Sequence, residues 1–125
     1  MRIGNVYRQM ILGCRADLRL PDVARQMVEH HVGALAVLAA DDRVVGIITE
    51  RDLVAALAEP GDPAEMSAAA YAAAEVRTAG LEEDSREVAR RMLDAGIRHL
   101  PVVDNAGRPV GMVSMRDLLA LETWA

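Results

Sequence analysis

Apolar and polar residues follow one another in a pattern that predicts short buried strands, turns and helices. The clearest example is the stretch of residues 97–118. Its apolar, β-branched runs at residues 97–103 and 110–113 predict two strands, and the residues Asp, Asn, Ala and Gly between them are typical of a turn. A helix is expected to begin at Ser114, because serine is a favoured N-cap and Asp117 follows three positions later, as in a capping box.

The same pattern occurs 65 positions earlier in the chain. Residues 22–57 align without a gap on residues 87–122, and 13 of these 36 aligned positions are identical. An internal repeat of this length predicts two copies of one structural unit. Each half of the chain is near the size at which a hydrophobic core is only marginally stable alone, so two halves that share a core would explain the duplication.

In the first copy, the periodicity predicts a helix at residues 21–30, strands at 34–38 and 44–48, and a second helix at 50–58. Both helices carry apolar residues at helical spacing, which predicts one buried face on each. These buried faces are expected to consist of Val23, Ala24, Met27 and Val28 in the first helix and of Leu53, Val54 and Leu57 in the second.

The second copy repeats this order. Its first helix is expected at residues 85–95, because Asp84 is a favoured N-cap with Glu87 as its partner and Gly96 is a typical residue just beyond a helix end. Residues 76–125 are therefore assigned to the second repeat and residues 1–60 to the first.

Two segments lie outside the repeated pattern. The proline and glycine residues at positions 60–63 break the chain, and the alanine-rich residues 64–75 predict a short helix. Residues 61–75 are accordingly a linker between the repeats. At the other end, residues 1–13 form a short lead-in with apolar residues at helical spacing, namely Ile3, Val6 and Met10.

Composition narrows the class of protein. Hydrophobic residues make up 52% of the chain, phenylalanine is absent and there is one tryptophan, so the core is expected to be aliphatic. No apolar run approaches the roughly 18 residues of a membrane span, and the first residues lack the apolar stretch of a signal peptide. A single cysteine cannot form an internal disulfide, which favours a reducing, cytoplasmic setting. The net charge of −5 argues against a nucleic-acid partner and a membrane partner is likewise not expected.

Residues that carry catalysis or bind metals in other proteins form no recognisable set here. No sequence signature pairs Cys14 with a base, so a nucleophilic enzyme is not expected. The spacing of Cys14, His30, His31 and His99 matches no metal-ligand pattern. We therefore predict neither an enzyme nor a metal site.

The duplicated motifs resemble a pair of CBS domains, also called a Bateman module. The resemblance is carried by residues 32–37 (VGALAV) and 45–53 (VGIITERDL) in the first copy, and by residues 97–104 (IRHLPVVD) and 111–118 (GMVSMRDL) in the second. It covers nearly the whole chain and is closest to the stand-alone bacterial proteins made of one CBS pair. It implies an α/β fold of two tandem β-α-β-β-α repeats, packed with pseudo-two-fold symmetry into one module.

What the resemblance implies about function is binding and regulation. Such modules commonly bind AMP, ADP, ATP or S-adenosylmethionine in the clefts between their repeats, and they often form homodimers. The chain is accordingly expected to be a sensor for an adenosine nucleotide that requires no cofactor and acts on a protein partner whose identity the sequence does not reveal. The alternative is a dimeric protein-interaction module that binds no nucleotide.

The resemblance also assigns ribose-binding residues. In the family, a threonine or serine and an aspartate of one motif hold the ribose hydroxyls, which places Thr49 with Asp52 and Ser114 with Asp117. The same two pairs have the spacing of capping boxes, which stabilise a helix whether or not a ligand binds. The two roles are compatible.

The phosphate and adenine contacts that the resemblance implies differ between the two repeats. The positions that reach phosphates in some family members hold Arg98 and His99 in the second repeat but uncharged residues in the first, so a phosphate chain is expected on the second repeat. Because neighbouring residues of a strand point to opposite faces, only one of these two side chains is expected to face the ligand. Thr78 matches a position that contacts adenine through its backbone, whereas Gly13 departs from the family pattern there.

Overall fold

The computed structural model describes residues 1–7, 13–73 and 78–124. These residues form two compact units. The first-repeat unit consists of residues 13–73, and the second-repeat unit consists of residues 78–124 together with residues 1–7. Each unit contains a three-stranded sheet and helices, and each has its own hydrophobic core.

The first-repeat unit is built on a sheet of strand order β1-β2-β3, in which β1 is parallel to β2 and β3 is antiparallel to it. Helices follow the first and third strands, as expected for a chain that must cover one face of the sheet. The elements are β1 (Gly13–Arg15), α1 (Leu20–His30), β2 (Ala34–Leu38), β3 (Val44–Thr49), α2 (Glu50–Leu57) and the one-turn helix α3 (Ala68–Tyr71), with a 3₁₀ turn at Pro63–Glu65.

The second-repeat unit has the same topology, with strand order β4-β5-β6 and the same parallel and antiparallel pairings. Its first strand is only two residues long. The elements are β4 (Ala79–Gly80), α4 (Ser85–Ala95), β5 (His99–Val103), β6 (Pro109–Ser114) and α5 (Met115–Trp124). The predicted strands are therefore present in both copies, and the predicted first helix of each copy is present as α1 and α4.

The central strand of each sheet supplies most of the core. Leu35 and Val37 on β2 are fully buried with Ile48 on β3, and Val23 of α1 packs on them. The second-repeat core is formed by the matching residues of its own strands and helices. It contains Val88, Met92, Leu100, Val102 and Val113. The aliphatic core that the composition predicted is thus divided between the two units.

Residues 1–7 pack in the second-repeat unit, although the sequence assigned residues 1–60 to the first repeat. Ile3 is fully buried in the second-repeat core. The backbone is held on the same unit, because the Ile3 amide donates to the Glu83 carbonyl at 2.8 Å and the Gly4 amide donates to the Leu81 carbonyl at 2.8 Å. The short strand β4 leaves these groups available, and the lead-in segment satisfies them.

The helix expected at residues 64–75 is wrong in extent. In the described part of this segment, Ala68–Tyr71 is α-helical and Pro63–Glu65 forms a 3₁₀ turn, while residues 74–75 lie outside the described residues. The reason is local hydrogen bonding: the Leu20 amide donates to the Met66 carbonyl at 3.0 Å, and the Ala68 amide donates to the Leu18 carbonyl at 2.7 Å. Residues tied to another segment in this way cannot make the i to i−4 bonds of a helix.

Part of the predicted inward face of the first-repeat helices is also wrong. Val54 and Leu57 are 66% and 68% exposed, and Val28 of α1 is 74% exposed. Leu53 is partly buried against the core, as expected. The apolar stripe on these helices is wider than the surface that the sheet can cover.

Strand β1 was missed at the sequence level. Gly13, Cys14 and Arg15 pair in parallel with residues 36–38 of β2, although Gly13 was interpreted as the end of the lead-in and the periodicity assigned Cys14 and Arg15 to no strand. Three residues are too few to show the alternation of a strand. The lead-in residue Met10 lies outside the described residues.

Candidate functional site

Thr49 and Asp52 form a complete capping box at the start of α2. The Thr49 amide donates to Asp52 Oδ2 at 2.8 Å, and the Asp52 amide donates to Thr49 Oγ1 at 3.3 Å. The Thr49 hydroxyl also lies 3.1 Å from Asp52 Oδ2, within hydrogen-bonding distance. Both side chains are partly buried, so the hydroxyl and the carboxylate are held in a fixed relation at the end of β3.

Ser114 and Asp117 form the equivalent pair at the start of α5. The Ser114 amide donates to Asp117 Oδ2 at 3.1 Å, and the Asp117 amide donates to Ser114 Oγ at 3.1 Å. The prediction of two capping boxes is thus confirmed. A carboxylate offers about four lone-pair positions, which is more than a capping box requires.

Arg98 lies directly before β5, and His99 is the first residue of that strand. His99 is the register partner of Ser114 across the β5–β6 ladder and is partly buried. Arg98 is exposed, and its carbonyl accepts a 2.8 Å hydrogen bond from the Met115 amide. The structure therefore brings Arg98 and His99 to the same end of the sheet as the Ser114–Asp117 pair.

The matching position in the first-repeat unit is the uncharged Gly33, and the carboxyl group of Glu50 lies next to it. The Gly33 carbonyl accepts a 3.0 Å hydrogen bond from the Glu50 amide, as Arg98 does from Met115. A methyl group placed on Gly33 would lie 3.3 Å from Cδ of Glu50, so the glutamate carboxyl group lies against the glycine. Next to its capping box, the second repeat thus has a guanidinium group and the first has a carboxylate.

Thr78 lies immediately before β4, where the resemblance placed an adenine contact. Its carbonyl accepts a 2.9 Å hydrogen bond from Arg91 Nη1. Arg91 also pairs with Glu83, and Glu83 Oε1 accepts a 2.9 Å hydrogen bond from the Gly80 amide. The Glu83–Arg91 pair therefore fixes the backbone on both sides of β4.

The Glu83–Arg91 pair should make the free energy of unfolding decrease at acidic pH. The hydrogen bond from Arg91 is the main cause that lowers the pKa of Glu83 in the folded chain. The stabilisation is therefore present above the unfolded pKa of about 4.3 and is lost as pH falls through the lower folded-state pKa. Because the pair is about one third exposed, we expect at most about 1 kcal/mol.

This dependence can be measured as the urea midpoint between pH 5 and pH 3. Glu83→Gln should reduce the loss of stability across this range. Glu29→Gln, which removes an exposed carboxylate from α1, is the matched control and should leave the wild-type slope. Equal slopes in all three proteins would show that the pair contributes nothing.

The thiol and the possible metal ligands in the described part of the chain bear on two of the sequence predictions. Cys14 is buried on β1, and burial raises the pKa of its thiol to about 11, which keeps it protonated at neutral pH. Within residues 1–7, 13–73 and 78–124, no three His, Cys, Asp or Glu side chains are grouped so that they could hold a metal ion. None of the helices described there is long and apolar enough to cross a membrane.

Sequence reasoning did not find Glu50, Glu83 or Arg91. The Glu83–Arg91 pair joins residues eight positions apart through tertiary structure, which no local pattern reveals. Glu50 could have been found, because the repeat alignment sets it against Met115 and sets Gly33 against Arg98. That comparison shows a charge difference between the two copies at the positions next to each capping box.

Comparison with known proteins gives a consistent family. The family described as "CBS domain" matches this chain twice, at residues 3–59 and 69–122. An uncharacterised protein of Methanopyrus kandleri is 33% identical over 123 residues, which cover 98% of this chain and 63% of that protein. The chain thus spans less than two thirds of the length of this relative.

Solved structures agree with this fold. The CBS domain pair of protein MJ0100, in complex with 5′-methylthioadenosine and S-adenosyl-L-methionine, matches with a TM-score of 0.91 and 24% identity, covering 99% of this chain and 97% of that chain. At this identity the likeness shows the fold alone. The CBS domain protein PAE2072 from Pyrobaculum aerophilum, complexed with AMP, matches with a TM-score of 0.87 and 25% identity over the full length of both chains.

Proposed function

Because the chain belongs to the CBS domain family, we propose that it is a regulatory module that binds an adenosine nucleotide through its two capping-box pairs. The predicted α/β fold with two tandem CBS repeats is confirmed by the family match and by the solved structures. Proteins of this family are generally regulatory, and the proposal gives this chain no catalytic step. It also gives it a cytoplasmic setting, which is supported by a single cysteine that is buried as a free thiol.

The observation that carries the proposal is the duplicated hydroxyl–carboxylate pair. Thr49 with Asp52 and Ser114 with Asp117 each hold a partly buried carboxylate by a backbone amide, at 2.8 Å and 3.1 Å. A fixed carboxylate is suited to accept from two neighbouring hydroxyl groups, as a ribose presents them. The AMP complex of the Pyrobaculum aerophilum protein supports the choice of an adenosine ligand.

Charge favours the second repeat for the phosphate group. Arg98 is exposed beside the Ser114–Asp117 pair, and a guanidinium group can bind a phosphate through two parallel hydrogen bonds. His99 lies opposite Ser114 on the neighbouring strand. Because neighbouring strand residues point to opposite faces, we assign the phosphate contact to the exposed Arg98, with His99 as the alternative, and the adenine contact to the backbone at Thr78.

Regulation requires that the ligand distinguishes two states of the protein. A nucleotide shifts a conformational equilibrium only by its difference in affinity for the two states. The proposed consequence of binding is therefore a change in the surface that a protein partner or a second copy of the chain contacts. No cofactor is needed for this role.

The test is a thermal-shift panel on protein first stripped of bound ligand. AMP, ADP, ATP and S-adenosylmethionine are compared with GMP as a control. A ligand present at 100 times its dissociation constant should stabilise the fold by about 2.7 kcal/mol. This corresponds to several degrees for a chain of 125 residues. No shift with any adenosine compound would overturn the proposed function.

A second candidate, a dimeric interaction module that binds no nucleotide, is favoured by one observation. Both units expose apolar side chains at repeat-equivalent helix positions: Val28 and Leu93 are 74% and 71% exposed, and Val54 and Leu119 are 66% and 59% exposed. Large exposed apolar side chains that recur in this way indicate a protein contact surface. We assign these exposed helix positions, in each unit, to contacts with a second copy of the chain.

Light scattering after size exclusion tests the dimer. The wild type should have a mass of about 27 kDa, twice the 13.5 kDa of one chain. Val54→Glu combined with Leu119→Glu should give a monomer, since burying two carboxylates at an apolar contact is costly. Val45→Glu, at an exposed strand valine, is the control and should remain dimeric. A monomeric wild type would exclude the homodimer.

A further inference from the structure

The first-repeat site differs from the second in the charge next to its capping box. The carboxyl group of Glu50 lies against Gly33, with a distance of 3.3 Å from Glu50 Cδ to a methyl group placed on the glycine. The repeat alignment sets these two residues against Met115 and Arg98. Next to its capping box the second repeat therefore offers the cation of Arg98 to a phosphate, whereas the first repeat offers the carboxylate of Glu50.

Glu50 is held at this place by its own backbone. It is the first residue of α2, and its amide donates to the Gly33 carbonyl at 3.0 Å. Thr49, its neighbour in the chain, belongs to the capping box with Asp52. Any ligand whose ribose lies on Asp52 would thus meet two carboxylates on neighbouring parts of one helix turn.

An apolar groove of about 440 Å³ begins at the same glycine. Glu50 and Gly33 lie on its wall, and the rest of the lining is mostly aliphatic, with His31 as a further polar side chain. The other lining residues are Ala24, Met27, Val28, Val32 and Leu53. This groove is suited to an apolar or positively charged substituent and unsuited to a phosphate.

We propose that the Thr49–Asp52 site excludes phosphorylated nucleotides and takes an adenosine compound with an apolar or cationic 5′ group. This inference rests on the proposed function, because it takes the ribose to bind at Asp52. A carboxylate repels a phosphate group that approaches within a few ångströms, and this repulsion would weaken the binding of AMP next to Glu50. The two repeats would then sense different ligands, one phosphorylated and one not.

The experiment isolates the first-repeat site in full-length Asp117→Ala protein. Binding of AMP and of 5′-methylthioadenosine is measured by calorimetry. We expect 5′-methylthioadenosine to bind and AMP to bind at least about tenfold more weakly. Adding Glu50→Gln should raise the AMP affinity by about tenfold or more and change the 5′-methylthioadenosine affinity by less than about twofold.

Two controls separate the outcomes. Glu29→Gln removes an exposed carboxylate on α1 and should leave both affinities unchanged. If both compounds bind equally and Glu50→Gln alters neither, this inference is overturned while the proposed function stands. If wild-type protein binds no adenosine compound at all, the proposed function fails and this inference fails with it.

Discussion

Replacing Ile3 by alanine is expected to lower the free energy of unfolding by about 2–4 kcal/mol, the range for removing a large aliphatic side chain from a core. Ile3 has no exposed surface and lies in the second-repeat core with Val88 and Leu100. Its backbone is bonded to Glu83, so the site cannot easily close around a smaller residue. Urea denaturation followed by far-UV circular dichroism measures the effect.

A graded series makes this prediction specific. Ile3→Val removes one methylene and should cost about 0.5–1.5 kcal/mol. Asn5→Ala changes an exposed residue two positions away and should cost no more than about 0.5 kcal/mol. If Ile3→Ala proves as harmless as Asn5→Ala, the first residues do not belong to the second-repeat core.

The repeat and its strands could be predicted because their signals are local. The strand at residues 34–38 and the helix at residues 85–95 have the predicted bounds. Each is bounded by residues with a clear conformational preference, such as Asp84 at the N-cap and Gly96 in the left-handed conformation with φ of 68°. The periodicity and the caps agree, so the local sequence is sufficient there.

The position of Ile3 could not be predicted in this way. An isolated isoleucine in a lead-in segment is expected to be buried in a core. The sequence does not indicate which of the two cores buries it. The same limit applies to Val54 and Leu57, whose helical spacing predicts an apolar face and not its neighbour. Their exposure in this structure depends on how much of α2 the sheet covers, and that is a tertiary property.

The aspartates of the candidate site could be predicted from the sequence, whereas the carboxylate of Glu50 next to the first of them was not. Asp52 and Asp117 occupy the same position of a repeated motif, and this repetition identified both as candidate site residues. Glu50 acquires its meaning only when its carboxyl group is seen against Gly33. Likewise, Arg91 lies on α4 and donates to the Thr78 carbonyl before β4. A pattern of apolar residues does not predict such a contact.

Replacing Asp117 by alanine should abolish AMP binding at the second repeat. A carboxylate that accepts from two ribose hydroxyls contributes about 1.5–3 kcal/mol for each charged hydrogen bond. We therefore expect the dissociation constant for AMP to rise by about 100-fold or more, measured by calorimetry. The hydrogen bond from the Ser114 amide to the Asp117 carboxylate is lost as well, whereas the Ser114 hydroxyl still caps the amide of residue 117, so the cost in stability should stay below about 1 kcal/mol.

Asp52→Ala is the matched control, because it removes the equivalent capping residue from α2. The two variants should lose similar stability through the cap, so a difference in AMP affinity can only come from the ligand site. Asp52→Ala is expected to retain AMP binding, since Arg98 and Ser114 remain in place in the other repeat. Equal AMP affinity in both variants and the wild type would reduce both aspartates to helix caps, and the exposed helix surfaces would then carry the function.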